Sequence, residues 1–239
     1  MDNPGYIALT RMKGLHDEIR AVANNVANAS TTGFRSEAVI FAEVLQRAEV
    51  DGGALAMSAP RAHYTDAAQG GLTPTGGQLD LAIEGDGYFM VQTPAGQRLT
   101  RAGAFMIAAD GSVQNPRGHR LLDAGGAPLQ LPPEARSIQI GPDGAVSADG
   151  LQLGQIGLFD AEPTNMLRED GVLFRVDGPT PPSETSRIAQ GYLEQSNVNA
   201  VEQMARLIEV HRAYEMGQSL MDMEDRRQRS AVETIGRTT

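Results

Sequence analysis

The sequence has no cysteine and no tryptophan among its 239 residues, and aromatic residues make up only 5% of it. Without cysteine the chain forms no disulfides and offers neither thiolate metal ligands nor a cysteine nucleophile. Because aromatic residues are so few, a core must be built from Leu, Ile, Val, Met and Ala. The content of 27 glycines and 13 prolines favours a turn-rich β region over a helical bundle.

Positive charge is also scarce, because the sequence has 20 basic and 30 acidic residues and a net charge of −10. This balance argues against nucleic acid or an anionic membrane as a partner. The sequence has no apolar run as long as the roughly 20 residues that are needed to cross a bilayer. The N-terminal residues lack the basic and apolar segments of a secretory signal, so we expect no cleaved leader of that type.

Apolar residues near the N-terminus recur at steps of four and three, the heptad spacing of coiled coils. They are Ala8, Met12, Leu15, Ile19, Val22 and Val26. Asn3 is placed to cap this helix, and Pro4 is tolerated in its first turn. The small and hydroxyl residues at 29–33 predict its end.

The middle of the chain predicts β structure after a connector. Residues 37–49 allow a strand and a short helix, and the Gly- and Pro-rich stretch up to Gly77 predicts an extended connector. From Leu79 the apolar residues alternate with other residues, as in a half-buried strand. Asp-Gly pairs at 110–111, 143–144 and 149–150 predict hairpin turns.

The C-terminal segment predicts a second helix. Asn199 and Glu202 have capping-box spacing. Larger side chains then follow at three- and four-residue steps. They are Met204, Leu207, Ile208, His211, Tyr214, Gln218 and Met221. Gly217 lies in mid-helix, where glycine costs up to about 1 kcal/mol relative to alanine, and predicts an interruption.

These patterns together predict an α+β fold, in which a β-rich central domain of hairpins is flanked by terminal helices that pair as a coiled coil. The expected boundaries are an N-terminal assembly helix at 1–35, a connector at 36–77, a β domain at 78–189 and a C-terminal assembly helix at 190–239. The two helical segments would form one inner helical domain.

Catalytic patterns are missing from the sequence. The four histidines are far apart and none begins a metal-ligand motif. Gly85-Asp86-Gly87 opens like a dinucleotide fingerprint, but Met90 occupies the third glycine position and a strand follows instead of a helix. We therefore expect no enzyme, no cofactor, no metal and no small-molecule substrate.

Three blocks of the sequence resemble bacterial flagellar rod and hook proteins. Residues 24–35 (NNVANASTTGFR) resemble the N-terminal signature of that family, and 191–199 (GYLEQSNVN) with 212–215 (RAYE) resemble its C-terminal signature. Residues 81–89 (LAIEGDGYF) and 100–105 (TRAGAF) are similar to its shared β-domain motif. The short connector and the lack of large insertions most resemble the proximal-rod type. A distal-rod or hook-type subunit is the alternative within the family.

The resemblance implies a structural subunit of the flagellar basal body, in the periplasmic rod. It implies copies of itself, other flagellar rod proteins and the flagellar type III export apparatus as partners, with export that needs no cleaved signal peptide. Outside the family, the alternative is a secreted coiled-coil surface protein that forms an oligomer of fixed size through residues 8–26.

The residues expected to take part in subunit assembly come from both ends of the chain. They are Met12, Leu15, Ile19, Val22, Asn24, Asn25, Val26, Asn28, Gly33, Phe34, Ser196, Asn197, Asn199, Met204, Leu207, Ile208, Tyr214 and Met221. For Asn24, Asn25 and Asn28 we expect either amides that bridge adjacent subunits or a frayed helix end.

Overall fold

The computed structural model describes residues 4–46 and 55–236. The fold is α+β, with a β-rich central region between two terminal helices, and it divides into two units. Within the described residues, the helical unit contains 4–27, 37–46, 55–66 and 199–236, and the β unit contains 28–36 and 67–198. Residues 28–35 and 190–198, which were expected to belong with the helices, thus belong to the β unit.

Two α-helices belong to the helical unit: α1 spans Pro4–Ala27 and α2 spans Ala200–Gly236. The expected cap Asn3 lies outside the described residues. Asn199 caps α2 as predicted, because its Oδ1 accepts hydrogen bonds from the backbone N–H of Val201 at 3.1 Å and of Glu202 at 3.3 Å. The interruption expected at Gly217 is wrong, since α2 runs through it.

The connector contains a hairpin. Strand β1 (Glu37–Gln46) pairs antiparallel with β2 (Leu55–Thr65), with a register shift between Ile40 and Phe41. The expected strand is therefore present. The short helix expected after it is absent as far as Gln46, and its remainder at 47–49 lies outside the described residues. The extended conformation expected for this region is realised as paired strands, which satisfy their backbone groups across the ladder.

The β unit contains the remaining strands, numbered in chain order. They are β3 (Leu72–Pro74), β4 (Leu81–Glu84), β5 (Tyr88–Thr93), β6 (Gly96–Thr100), β7 (Met106–Ile107), β8 (Val113–Gln114), β9 (Arg120–Leu121), β10 (Ile138–Ile140), β11 (Ala145–Ala148), β12 (Leu151–Gln155), β13 (Leu158–Phe159), β14 (Met166–Asp170), β15 (Leu173–Val176), β16 (Arg187–Gln190) and β17 (Tyr192–Glu194).

All pairings of these strands are antiparallel. The largest sheet has the order β14-β15-β6-β5-β9-β8-β7, and β13 also pairs with β5. A second sheet has the order β10-β11-β12, and two smaller pairs join β16 to β4 and β17 to β3. The last two pairs tie the C-terminal end of the β unit to its first strands.

The strand β5 is buried on both faces. Phe89 and Val91 enter one hydrophobic cluster, and the Phe89 ring lies 5.5 Å from the ring of Phe105. Tyr88 and Met90 enter a second cluster. Because successive side chains of a strand point to opposite faces, the alternate residues of β5 supply two cores.

All three predicted Asp-Gly hairpins are present. The pair at 110–111 lies between β7 and β8, the pair at 143–144 between β10 and β11, and the pair at 149–150 between β11 and β12. Asp149 and Gly150 alone connect their strands, and both have positive φ, 50° and 85°. This is the geometry of a tight two-residue turn, which favours Asp-Gly.

The turn between β11 and β12 generates a stability prediction. Gly150→Ala places a side chain in a left-handed conformation and is expected to lower the free energy of unfolding by about 1–2 kcal/mol. Steric clash does not contribute, because an added Cβ meets no atom within 4 Å. Gly71→Ala is the control: its Cβ also meets nothing, its φ is not positive, and the expected change is below about 0.5 kcal/mol. Equal urea-unfolding results for both variants would contradict the turn assignment.

Candidate functional site

The less exposed residues of α2 form a heptad stripe, which we call the inner stripe. Its members are separated by four and three residues in turn: Gln203, Leu207, Val210, Tyr214, Gly217, Met221 and Glu224. Three of the predicted assembly residues, Leu207, Tyr214 and Met221, belong to it. The spacing keeps all seven on one side of the helix.

Contacts along the inner stripe show that α1 and α2 run antiparallel. The Met12 side chain lies beside Gly217, the ring of His16 is 6.4 Å from the ring of Tyr214, and the Asn25 amide donates to Gln203 Oε1 at 3.1 Å. The residue numbers of the contacting positions rise along α1 and fall along α2, so the two helices run in opposite directions.

An ion pair also joins the two helices. The Arg206 Nε donates to Glu18 Oε1 at 2.8 Å. Hydrogen bonding to Glu18 raises the pKa of the Arg206 guanidinium above its usual value. The pair is partly exposed on the Arg206 side, so its contribution to stability is small and it mainly favours this alignment of the helices.

Gly217 permits close approach of the two helices. A Cβ added at this position would lie 3.3 Å from Cγ of Met12. Beside it the helices leave an apolar groove of about 290 Å³, which we call the helix groove. It is lined by Ala8, Arg11, Met12, Leu15, Ala213, Met216, Gly217 and Leu220. The predicted residues Met12 and Leu15 therefore lie against α2, while Ile19 and Val26 are half-buried and Val22 is buried.

The Asn25 side chain makes hydrogen bonds within its own chain, whereas the sequence suggested either a bridge between subunits or a frayed helix end. Its Oδ1 accepts the backbone N–H of Glu37 at 2.8 Å, and its Nδ2 donates to the Glu37 carbonyl at 2.8 Å. A primary amide is suited to this task because it offers a donor and an acceptor side by side. Asn28 Oδ1 accepts from the Thr31 hydroxyl at 3.1 Å within the turn that follows α1, and Asn24 lines a small polar depression beside Glu37.

A second apolar stripe of α2 is exposed, and we call it the outer stripe. It contains Val201, Met204, Ile208, Met216, Leu220 and Met223, whose residues are all more than half exposed. The sequence pattern merged the two stripes, because Met204 and Ile208 also follow the three- and four-residue spacing. In the structure they face away from the inner stripe.

The predicted residues that flank the helices are bound within the β unit. Gly33 has φ of +68°, and a Cβ there would lie 2.3 Å from the backbone nitrogen of Ala102. Phe34 is fully buried. Asn197 Oδ1 accepts the Ser36 N–H at 2.6 Å. The Ser196 hydroxyl accepts the N–H of Val198 at 3.3 Å.

A buried carboxylate links these segments. Glu194 Oε1 lies 2.8 Å from Nη2 of Arg35, and its Oε2 lies 3.4 Å from Nη1 of Arg101. The backbone N–H of Gly70 donates to Oε1 at 3.0 Å, and that of Gly33 donates to the Glu194 carbonyl at 2.8 Å. All three charged side chains are at most 1% exposed, so we call them the buried triad.

The buried triad carries two positive charges and one negative charge. Burial lowers the pKa of the Arg101 guanidinium below its usual value, and the carboxylate of Glu194 opposes that shift. Arg101 Nη2 also donates to the Gly85 carbonyl at 2.7 Å, and Arg35 Nη1 donates to the carbonyl of Ala68. Each guanidinium thereby has one backbone acceptor, while Nε of Arg35 and Nε of Arg101 are buried without a hydrogen-bond partner, so the carboxylate of Glu194 is the main compensation for their charge.

Sequence reasoning missed the buried triad as a site. Its members occur one in each of the three blocks that carry the family resemblance, at Arg35, Arg101 and Glu194. A charged residue in each block was the available signal, but nothing in the spacing of the chain brings the three together.

The described residues contain neither a candidate membrane-spanning helix nor a candidate metal site. Within 4–46 and 55–236, neither helix combines the length and apolar content needed to cross a bilayer. The same ranges contain no group of three or more acidic or histidine side chains that could hold a metal ion.

The buried triad generates a stability prediction. Glu194→Gln leaves two buried guanidinium groups without their carboxylate and is expected to lower the free energy of unfolding by about 3–5 kcal/mol. Asp170→Asn is the matched control, because Asp170 pairs with Arg117 on the surface, where both side chains are at least half exposed. Its expected effect is below about 1 kcal/mol. Chemical denaturation measures both, and a small loss for Glu194→Gln would show that the arginines do not depend on this carboxylate.

Three family models match the chain in order. The model described as "Flagella basal body rod protein" matches residues 6–35. The "Flagellar hook protein FlgE/F/G D1 domain" matches 82–148, and the "Flagellar basal body rod FlgEFG protein C-terminal" matches 189–234. The first match includes most of α1, the last includes most of α2, and the middle one lies in the β unit.

Relatives with similarity over the whole length agree with these matches. The chain is 37% identical to the flagellar basal-body rod protein FlgF of Mesorhizobium japonicum, over 99% of both chains. It is 38% identical to FlgF of Caulobacter vibrioides over 99% of both, and 34% identical to FlgF of Rhizobium meliloti over 97% of both. The chain therefore belongs to the flagellar basal-body rod protein family, as a structural subunit of the FlgF type and not an enzyme.

Proposed function

We propose that this rod subunit polymerises with copies of itself and with other rod proteins through its paired terminal helices, in the proximal part of the rod. The observation that carries the proposal is the presence of two apolar stripes on α2. The inner stripe lies toward α1, while the outer stripe is exposed. A helix that is apolar on two sides is stable only when both are covered.

The outer stripe is long enough for an assembly contact. It extends from Val201 to Met223, which corresponds to about 33 Å along the helix axis. Methionine supplies three of its six side chains, and flexible methionines adapt to surfaces of different shape. That property suits a subunit whose neighbours in the rod are of more than one kind.

Pairing of α1 with α2 as an antiparallel coiled coil is part of the proposal. The apolar seam of α1 and the inner stripe of α2 both have heptad spacing, which is the requirement for sustained contact between two helices. In this arrangement the ends of the chain, including the expected assembly segments 1–35 and 190–239, provide the contacts between subunits. The β unit, residues 28–36 and 67–198, forms a separate compact unit.

Assembly after export by the flagellar type III apparatus is the third part of the proposal. Segments whose apolar stripes are covered only in the polymer acquire their full stability there, so folding is coupled to binding. The full-length similarity to basal-body rod proteins supports a location in the rod, and the FlgF relatives favour its proximal part. The same similarity favours this function over a distal-rod subunit and over a surface oligomer of fixed size.

The outer stripe generates a test of polymerisation. The double variant Met204→Asp with Ile208→Asp places two charges on it, and we expect at least a tenfold loss of swimming in cells that carry only this variant. The fold is expected to survive, with a change in the free energy of unfolding below about 0.5 kcal/mol, because both side chains are more than half exposed.

Gln218→Asp is the control, an acid placed at an exposed polar position of the same helix. It is expected to leave swimming and the recovery of rods unchanged. Normal rods from the double variant would exclude the outer stripe from assembly and overturn the proposed function.

Gly217 generates a test of the helix pair. Gly217→Leu needs the space occupied by Met12 and is expected to destabilise the pair by about 1–3 kcal/mol. Gly217→Ala is the control, since its helix propensity gain of up to about 1 kcal/mol offsets the 3.3 Å approach to Met12. Thermal loss of helicity measured by circular dichroism distinguishes the two, and equal curves would show that α1 and α2 are not packed at this position.

A further inference from the structure

All sulfur in this chain belongs to methionine, because the sequence has ten methionines and no cysteine. Without a thiol to react first, mild oxidants such as hydroperoxides act mainly on methionine, whose thioether they convert to a sulfoxide. The rate at each position depends on how well the oxidant reaches the sulfur atom. The exposed fractions of the methionines therefore indicate where the oxidation occurs.

The most exposed methionines of the described chain lie on the outer stripe of α2. Met216 is 68% exposed, Met223 is 59% exposed and Met204 is 52% exposed. Met12 and Met221 of the same helical unit are half-buried, because Met12 contacts α2 and Met221 belongs to the inner stripe. One side of α2 thus presents three soft, oxidisable side chains to solvent, while the opposite side protects another.

The β unit provides two methionines for comparison. Met106 in β7 is 47% exposed, while Met90 in β5 is 6% exposed and packs in the second hydrophobic cluster. Exposure therefore predicts that Met106 is oxidised nearly as fast as the outer-stripe methionines and that Met90 is oxidised slowly. Among the methionines compared, those of the outer stripe combine exposure with an expected role in polymerisation.

We propose that the outer stripe is an oxidation-sensitive surface, on which hydroperoxides convert Met204, Met216 and Met223 to methionine sulfoxide and so keep the subunit from polymerising. This inference rests on the proposed polymerisation through the outer stripe and adds a way in which it is regulated. The three sulfur atoms are accessible in the free subunit and become covered by a neighbour in the polymer. Oxidation therefore stops the addition of new subunits and leaves the assembled ones intact.

The reaction needs no reactant other than the peroxide. The thioether sulfur forms a bond to one peroxide oxygen, the O–O bond breaks and water leaves, so that sulfur is oxidised by two electrons and the peroxide is reduced. The product carries a hydrogen-bond acceptor where the side chain was apolar. Burying that oxygen in an apolar contact without a donor is unfavourable, and three of the six residues of the outer stripe undergo the change.

Peptide mapping by mass spectrometry tests the selectivity of the reaction. The purified full-length chain is treated with hydrogen peroxide, and sulfoxide formation is followed at each methionine. We expect the three outer-stripe methionines to react at least threefold faster than Met12 and Met221, and Met106 to react nearly as fast as the outer-stripe group. Equal rates on the two sides of α2 would overturn the inference, because the outer stripe would then not be the preferred target.

Substitution tests whether added polarity on the outer stripe prevents assembly. Glutamine is polar and similar in length to methionine sulfoxide, whereas leucine keeps the stripe apolar with little change in volume. One triple variant combines Met204→Gln, Met216→Gln and Met223→Gln, and the other replaces the same three residues with leucine. Each is produced as the sole copy in cells, and we expect at least tenfold less of the glutamine variant in isolated basal bodies. Met106→Gln and Met106→Leu are the matched controls and are expected to be incorporated equally.

A peroxide challenge links the chemical reaction to its effect on assembly. Synthesis of the chain is induced with or without sublethal hydrogen peroxide, and the amounts of chain in basal bodies are expressed as a ratio. This ratio cancels any difference in incorporation between the unmodified chain and the triple leucine variant in the absence of peroxide. Peroxide is expected to lower incorporation of the unmodified chain at least threefold and to leave that of the leucine variant unchanged.

Two results would overturn the inference and leave the proposed function in place. They are equal amounts of the glutamine and leucine variants in basal bodies, and an equal effect of peroxide on the unmodified chain and the leucine variant. In either case the loss of rods expected for Met204→Asp with Ile208→Asp would still support polymerisation through the outer stripe. Normal rods from that double aspartate variant would instead overturn the proposed function and this inference together.

Discussion

The β unit depends on the carboxylate of Glu194, which holds two arginines where solvent does not reach. Arg35 comes from the segment that follows α1, Glu194 from the strand that precedes α2 by a few residues, and Arg101 from the middle of the chain. Buried charges are costly unless they are paired and hydrogen-bonded, so each of these segments requires the other two. A hydrophobic cluster tolerates small rearrangements, whereas this arrangement is specific. The triad therefore holds the segment after α1, the middle of the chain and the strand before α2 together inside the β unit.

Much of the fold follows from local sequence. The heptad seam of α1, the Asn199 cap of α2 and the Asp-Gly turns depend on residues that are close together in the chain. The hairpin of β1 and β2 was harder to predict, because the apolar residues of its strands do not alternate strictly with polar ones. Gly217 was misread for a related reason: its cost within a single helix is visible in the sequence, but its close contact with Met12 exists only in the folded pair.

The sequence predicted the apolar residues of α2 as one set and did not separate them into two stripes. Leu207 and Tyr214 belong to the inner stripe, while Met204 and Ile208 belong to the outer one, and a three-four pattern does not distinguish them. Polar residues were less predictable still. The role of Asn25 depends on the position of Glu37 in space, and sequence separation carries no information about that distance.

The two hydrogen bonds between Asn25 and the backbone of Glu37 also affect how the helical unit opens. The first residue of β1 obtains partners from a side chain of α1, and the same amide donates to Gln203 on α2. Helix, hairpin and second helix are therefore linked at one point, and opening any of them exposes groups of the other two. Segments linked in this way are expected to open as a single cooperative unit, so that their amide protons share one opening free energy. Such two-state behaviour suits the proposed function, in which the chain is exported with its ends open and assembles with them closed.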